Sequence, residues 1–211
     1  MKRLSRRILF TGGATALAVG ATAGVALAVA ISFSVSPGGA ITAKAGTTVL
    51  KDTKTGSKVT CSSSSSKGTL KSGHGISGTS LGTVTALTFK SPCVGPLNLP
   101  TTVTNSGFPW KLTGTSYNSS TGTTTGFITG IKSSVSAPPC TATVGGTTAT
   151  STGKVKVTYT NSTGKLKVLS TGGNLHVWNV SGCPSTILNN GDPTVFTGTY
   201  TVTPKQKITS P

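Results

Sequence analysis

The chain has 211 residues, of which only 5% are aromatic and 10% charged, and its 19 basic residues face two acidic ones. That length suits one domain plus a targeting segment, and the abundance of Thr, Val and Ile suits pleated strands better than a disordered tail. Two aspartates and no glutamate leave little for carboxylate chemistry: glycoside hydrolysis commonly needs a pair, and a calcium site needs several oxygen ligands.

Lys2, Arg3, Arg6 and Arg7 form a basic head, followed by an uncharged apolar run from Ile8 to Val35. Ser36-Pro37-Gly38-Gly39 and the triplet Ala43-Lys44-Ala45 come next. Head, apolar stretch and small-x-small triplet read as an N-terminal signal helix, with cleavage placed after Ala45 and a second candidate at Ala30. The division is then 1–45 signal peptide and 46–211 a single extracytoplasmic β-domain. The stretch Ser5 to Phe10 also resembles a twin-arginine signal, so Sec and twin-arginine export both stay open. The run is long enough to remain as an uncleaved anchor, the only membrane contact this reading provides. Either way the domain lies outside the cytoplasm, secreted or held at the cell envelope. It keeps 14 Lys and both Asp, a net charge of +12, and has no Arg. Lysine lacks the planar fork of arginine. Such a surface suits loose attraction to anionic cell-wall polymers and not specific nucleic-acid reading.

Within the domain, Thr47 to Asp52 reads as a first strand and Lys58 to Ser62 as a second. The serine run Ser62–Ser66 reads as a strand edge entering a loop, and Ser72 to Gly78 as a flexible glycine-rich stretch. Gly82 to Phe89 is a strand, with Val84, Leu87 and Phe89 as its apolar points. Cys93 to Pro100 is an extended loop, because Pro96 and Pro100 remove ladder donors. Phe108, Trp110 and Leu112 alternate and share one strand face. Thr123 to Lys132 is a strand with a bulge or close approach at Gly126 and Gly130. Gly153 to Ser170 is a hairpin turning at Asn161–Gly164, with Val155, Val157, Tyr159, Leu166 and Val168 on one face and lysines on the other. Asn174 to Val180 is a further strand, Asn189 to Pro193 a turn, and Thr194 to Thr203 the last strand. The sum is an all-β fold, a β-sandwich or Greek-key barrel of about ten short antiparallel strands.

Cys61, Cys93, Cys140 and Cys183 make an even set, which in an oxidising compartment reads as two disulfides. Of three pairings, Cys61–Cys93 and Cys140–Cys183 are favoured, because each would close one run of strands. No C-x-x-C spacing accompanies the isolated His74 and His176, so no metal or other cofactor is expected. A Ser–His–Asp triad lacks its Gly-x-Ser-x-Gly elbow, and no catalytic residue is assigned. Lys154, Lys156, Lys165 and Lys167 are candidates for a polyanion-binding strip, against the alternative of a solvated face that discourages edge pairing. Trp110 and Trp178 are candidates for ligand stacking, against core packing. Leu97 and Leu99, in a loop beside Cys93, fit a protease-inhibitor segment.

Four segments, Leu81 to Phe89, Gly107 to Leu112, Tyr159 to Gly164 and Phe196 to Tyr200, together resemble uncharacterised secreted all-β proteins of actinomycete-type bacteria. That resemblance implies secretion and a β-fold, and no activity. A second likeness, to the neocarzinostatin-type carrier proteins, implies a two-disulfide β-sandwich holding an apolar ligand. The functional expectation is a secreted, non-catalytic protein of the envelope or extracellular space that binds anionic wall polymers. The alternatives are a small apolar-ligand carrier and an inhibitor-like module using the Cys93–Pro100 loop.

Overall fold

The computed structural model describes residues 31–211. The basic head, the arginine pair and the apolar run up to Ala30, hence the expected signal helix, lie outside the described residues. The described chain is all-β. The strands are β1 (Ser32–Ser36), β2 (Gly39–Ala45), β3 (Thr48–Asp52), β4 (Lys58–Cys61), β5 (Ser64–Leu70) and β6 (Gly73–Ser77). Next come β7 (Gly82–Phe89), β8 (Cys93–Val94), β9 (Pro100–Ser106), β10 (Trp110–Asn118), β11 (Thr123–Ala137) and β12 (Cys140–Gly145). The last are β13 (Gly153–Thr160), β14 (Lys165–Val168), β15 (Leu175–Ser181), β16 (Pro193–Thr203) and β17 (Lys207–Thr209). A single 3-10 turn covers Pro96–Asn98.

The pairings close into two rings. In the first, β10, β7, β5, β2, β16, β14, β13 and β11 adjoin one another in that order, and β11 returns to β10. In the second the order is β3, β4, β8, β9, β11, β12, β15 and β16, and β16 returns to β3. These are two eight-stranded antiparallel barrels that share their two longest strands. Residues 123–131 of β11 pair with β10 and β13, and residues 132–137 pair with β9 and β12. β16 divides likewise, with residues 194–197 against β3 and residues 198–203 against β14 and β2.

Glycines permit the hand-over. The register of β11 slips between Thr129 and Ile131, and Gly130 between them has φ +91°, a left-handed bulge conformation that suits glycine. In β16 a side chain at Gly198 would meet Thr48 Cγ2 at 2.8 Å. Gly126 faces the Thr113 carbonyl with no room for a Cβ, so both glycines flagged in β11 have physical reasons.

The first barrel is filled mainly by side chains, as eight strands allow, with a cavity of only about 50 Å³ among its own core residues. Val84, Trp110, Leu112, Val155, Val157, Tyr159, Val168, Tyr200 and Val202 belong to its buried core. The hairpin of β13 and β14 turns as expected at Asn161–Gly164, with Gly164 N–H donating to the Thr160 carbonyl. Its alternation sends valines inward and lysines outward. β1, β6 and β17 form a three-stranded sheet, whose Phe33, Val35, Ile76 and Ile208 join the same core. Polar bonds fasten this cap. The Tyr159 hydroxyl donates to the Gln206 carbonyl and accepts its N–H, and Asn161 bonds both backbone groups of Ile208.

Several sequence expectations change here. The boundary placed after Ala45 falls inside the fold: Phe33 is wholly buried, and β2 is hydrogen-bonded on both edges. The apolar run to Val35 therefore includes a core strand, and Ala30 is the candidate cleavage point that leaves the described fold whole. Ser72 to Gly78, read as flexible, contains β6, held by β1. The serine run contributes to β5, a strand paired on both edges by β2 and β7. Seventeen strands among the described residues, against about ten expected, reflect how closure recruits short polar pieces that carry no hydropathy signal.

A chain beginning at Ile31 should unfold in urea at the same midpoint as the full chain, while one beginning at Gly46 should give no cooperative transition. Equal stability of the two would remove β1 and β2 from the domain. Phe33→Ala should cost about 3–5 kcal/mol. Tyr200 supplies a pH test. It is buried, and burial pushes its phenol up to about 12, against the Ser64 hydroxyl that donates to it. A raised folded value gives stability that is complete below the unfolded value near 10 and is lost as pH rises toward about 12. Wild type should lose roughly 2–3 kcal/mol across that window relative to Tyr200→Phe.

Candidate functional site

Cys61–Cys93 and Cys140–Cys183 are both formed, with Cα separations of 4.3 and 4.4 Å. Two disulfides mark an oxidising compartment. Both reinforce the second barrel, the first at its thinnest ladder and the second at an irregular one. β4 meets β8 through a single residue pair, Thr60 with Val94, beside the first bridge. The β12–β15 ladder slips after Thr141, beside the second. Their loops of 32 and 43 positions are worth about 3–4 kcal/mol each on the chain-entropy account.

The structure brings the four candidate lysines together on the outer wall of the first barrel. Lys154 and Lys156 stand two apart on β13, and Lys165 and Lys167 two apart on the neighbouring β14. Lys44, Lys67 and Lys111 extend the set around the barrel. Lys44 and Lys165 both flank Thr201, roughly 10 Å apart across two strand spacings. Lys154 Nζ lies 5.2 Å from the centre of the Phe127 ring. Threonines, together with Ser65, Ala86 and Phe127, stand opposite these lysines, and neither aspartate is on this wall. A polar groove of about 570 Å³ adjoins Lys167, with Thr47, Ser170, Thr171, Thr197 and Thr199 in its walls. Lys44 escapes a sequence-based assignment to this surface because it falls within the expected signal.

The two tryptophans separate. Trp110 is buried, stacks on Phe108 at 4.5 Å, and donates to the Ser106 carbonyl. It borders a cavity of about 110 Å³ at the junction of the barrels. Trp178 alternates with the inward Leu175 and Val177 and so faces outward, packed over Gly191 and donating to the Gly146 carbonyl. Neither borders the larger apolar cavity, about 280 Å³, inside the second barrel. That space exists because the inward residues there are small. Val59, Val135, Ala137, Ala142, Val144 and Val177 line it, and no aromatic does. The turn after β3, the Pro96–Leu99 segment, Pro139 and the Gly182–Leu188 segment surround its mouth. Leu97, 78% exposed, and Leu99 stand at this lip, so the candidate inhibitor residues are also cavity residues.

Asp52 lies in the wall of this cavity, and Asp192 adjoins it. Asp52 Oδ1 accepts the N–H groups of Lys54 and Thr55, at 2.7 and 3.0 Å, and so shapes the β3–β4 turn. Asp192 Oδ2 accepts the Asn189 N–H at 2.8 Å, and its Oδ1 is 3.3 Å from Lys54 Nζ. Burial works to raise the Asp192 carboxyl, but the Asn189 bonds and the Lys54 ammonium outweigh it and hold it below the ordinary carboxylate range. Asp52 borders the cavity; its Oδ2 is buried without a hydrogen-bond partner. Nothing local in the sequence joins this pair, since 140 positions separate the two. The histidines are elsewhere. His74 Nδ1 meets Ser34 Oγ on the cap, and His176 Nδ1 meets the Asn174 carbonyl. Among the described residues no three His, Cys, Asp or Glu side chains gather as a metal site. Nor is any helix there long and apolar enough to cross a membrane. Compared with protein families, curated proteins and solved structures, the chain matches none.

Asp192→Asn should destabilise the protein by about 1–3 kcal/mol at pH 7, mainly through the buried Asn189 contacts. Lys54 is 64% exposed and its ion pair is screened. A lowered folded value gives stability that is present above the unfolded value near 3.9 and is lost as pH falls below it. The gap between the urea midpoints of wild type and variant should therefore narrow progressively as pH falls below about 3.9. A constant gap would remove the carboxylate as the cause.

Proposed function

We propose that this is an exported, non-catalytic protein of the cell envelope or extracellular space whose first barrel attracts anionic wall polymers. The observation that carries the reading is the outer wall of that barrel. It presents Lys44, Lys67, Lys111, Lys154, Lys156, Lys165 and Lys167 among threonines, with no carboxylate. Lysines spaced by roughly a Debye length repel one another, and a flexible polyanion laid over them relieves that repulsion. Hydroxyl-lined walls beside Lys167 offer hydrogen bonds to a polymer backbone or its sugars. Lysine without arginine favours diffuse attraction over fixed bidentate recognition.

A second reading, a carrier of small apolar molecules, is favoured by the 280 Å³ cavity of the second barrel, which approaches the size of ordinary ligand pockets. The two readings use opposite ends of the molecule and are independent.

The protein should be retained on isolated cell walls at low salt and released at moderate salt. Replacing Lys154, Lys156, Lys165 and Lys167 together by Gln should move release to distinctly lower salt without changing the unfolding free energy by more than about 1 kcal/mol, because these side chains are surface groups. Retention that ignores salt, or no retention at all, would overturn the reading.

A further inference from the structure

We infer that the cavity of the second barrel binds a small apolar amine, its hydrocarbon part among the valines and leucines and its ammonium group on Asp52 and Thr194. This rests on the carrier reading and adds the chemistry of the ligand. Three observations converge. The first is an interior space of about 280 Å³ whose lining is almost wholly apolar. The second is that its wall holds two buried polar atoms without partners, Asp52 Oδ2 and Thr194 Oγ1, on residues 3% and 5% exposed. Asp52 and Thr194 are directly opposite each other on β3 and β16, so their side chains lie next to each other. Buried polar atoms are ordinarily paired, and leaving them unpaired is costly. A group placed between them must donate to the carboxylate oxygen and can also bond the hydroxyl; a primary ammonium does both.

The third observation is charge. Asp192 adjoins Asp52, and Lys54 is the cation bonded to Asp192. Among the described residues no base is bonded to Asp52, so an ammonium placed there would be its first ion-pair partner. The other charged groups near it are Lys58, at the lip on β4, and Lys51, its cross-strand neighbour on β3. Both are exposed, so their heads are solvated away from the interior. A carboxylic acid would instead set its charge against Asp52.

The test is calorimetric titration of the full exported chain, disulfides intact, with 2-phenylethylamine, 3-phenylpropionate and ethylbenzene, with amide shifts locating the site. The amine should bind tightest and perturb Leu97, Val177 and Thr194. Asp52→Asn keeps the Oδ1 acceptor of the turn and replaces the free oxygen by a donor. It should weaken the amine at least about tenfold and leave ethylbenzene unchanged. Thr194→Val, which removes only the hydroxyl, should weaken the amine by a smaller factor and also spare ethylbenzene; it stands in if the first variant fails to fold. Equal binding of amine and ethylbenzene would overturn the ammonium site while sparing the carrier reading. Tighter binding of phenylpropionate, or amine affinity indifferent to both substitutions, would also overturn it. Binding of none of the three would overturn both.

Discussion

Closure through two shared strands is the constraint on which the molecule depends. β11 and β16 each carry hydrogen-bonded neighbours on both edges, and each changes those neighbours partway along its length. Between them they close both rings, so neither barrel has a free edge in its circuit. A strand can change partners only where its backbone bends or lets another chain come close. That requirement falls on Gly130 and Gly198. Backbone hydrogen bonding then supplies much of the order that large side chains supply in other folds, which is how a chain with so few aromatics encloses two interiors.

The interiors differ because their fillers differ. In the first barrel Trp110, Tyr159, Tyr200 and a ring of valines fill the space, and the cap strands add Phe33. In the second, valine and alanine at the inward positions cannot reach across a ring of the same strand number. The void that results would weaken a barrel held by packing alone. The disulfides compensate, since they lie at the one-pair contact of β4 with β8 and at the slipped ladder of β12 with β15. Covalent closure thus permits an interior that is not packed solid.

Charge is divided along the same line. The lysine-bearing wall belongs to the first barrel, whereas Asp52 lines the cavity of the second, with Asp192 beside it. A basic exterior repels free cations at long range, but screening confines that field to about 8–10 Å in physiological salt. Inside the mouth, nearby groups dominate: Asp52, Asp192 and Lys54. The molecule therefore has two surfaces of different chemistry, a basic outer wall and a mainly apolar interior.

The sequence by itself determined the all-β class and the lysine-out hairpin of β13 and β14, favoured the two sequential disulfides among three pairings, and marked Gly126 and Gly130 as a bulge or close approach. Each is local, because alternation with period two, turn residues and cysteine spacing are all read over a few dozen positions. It misplaced the start of the fold, because Phe33 and Val35 continue an apolar run and nothing local distinguishes a core strand from the end of a signal. It also passed over β5 and β6, whose Ser, Gly and Thr become strands only when neighbours pair with both edges or with one. Only the tertiary structure decided that the strands close as two barrels, since ring closure is a property of pairings such as β16 with β2 that span most of the chain. It alone brought Asp52 to Asp192 and opposed Asp52 to Thr194. Two residues 140 positions apart share no periodicity, and their meeting results from the return of β16 to β3 that closes the second ring.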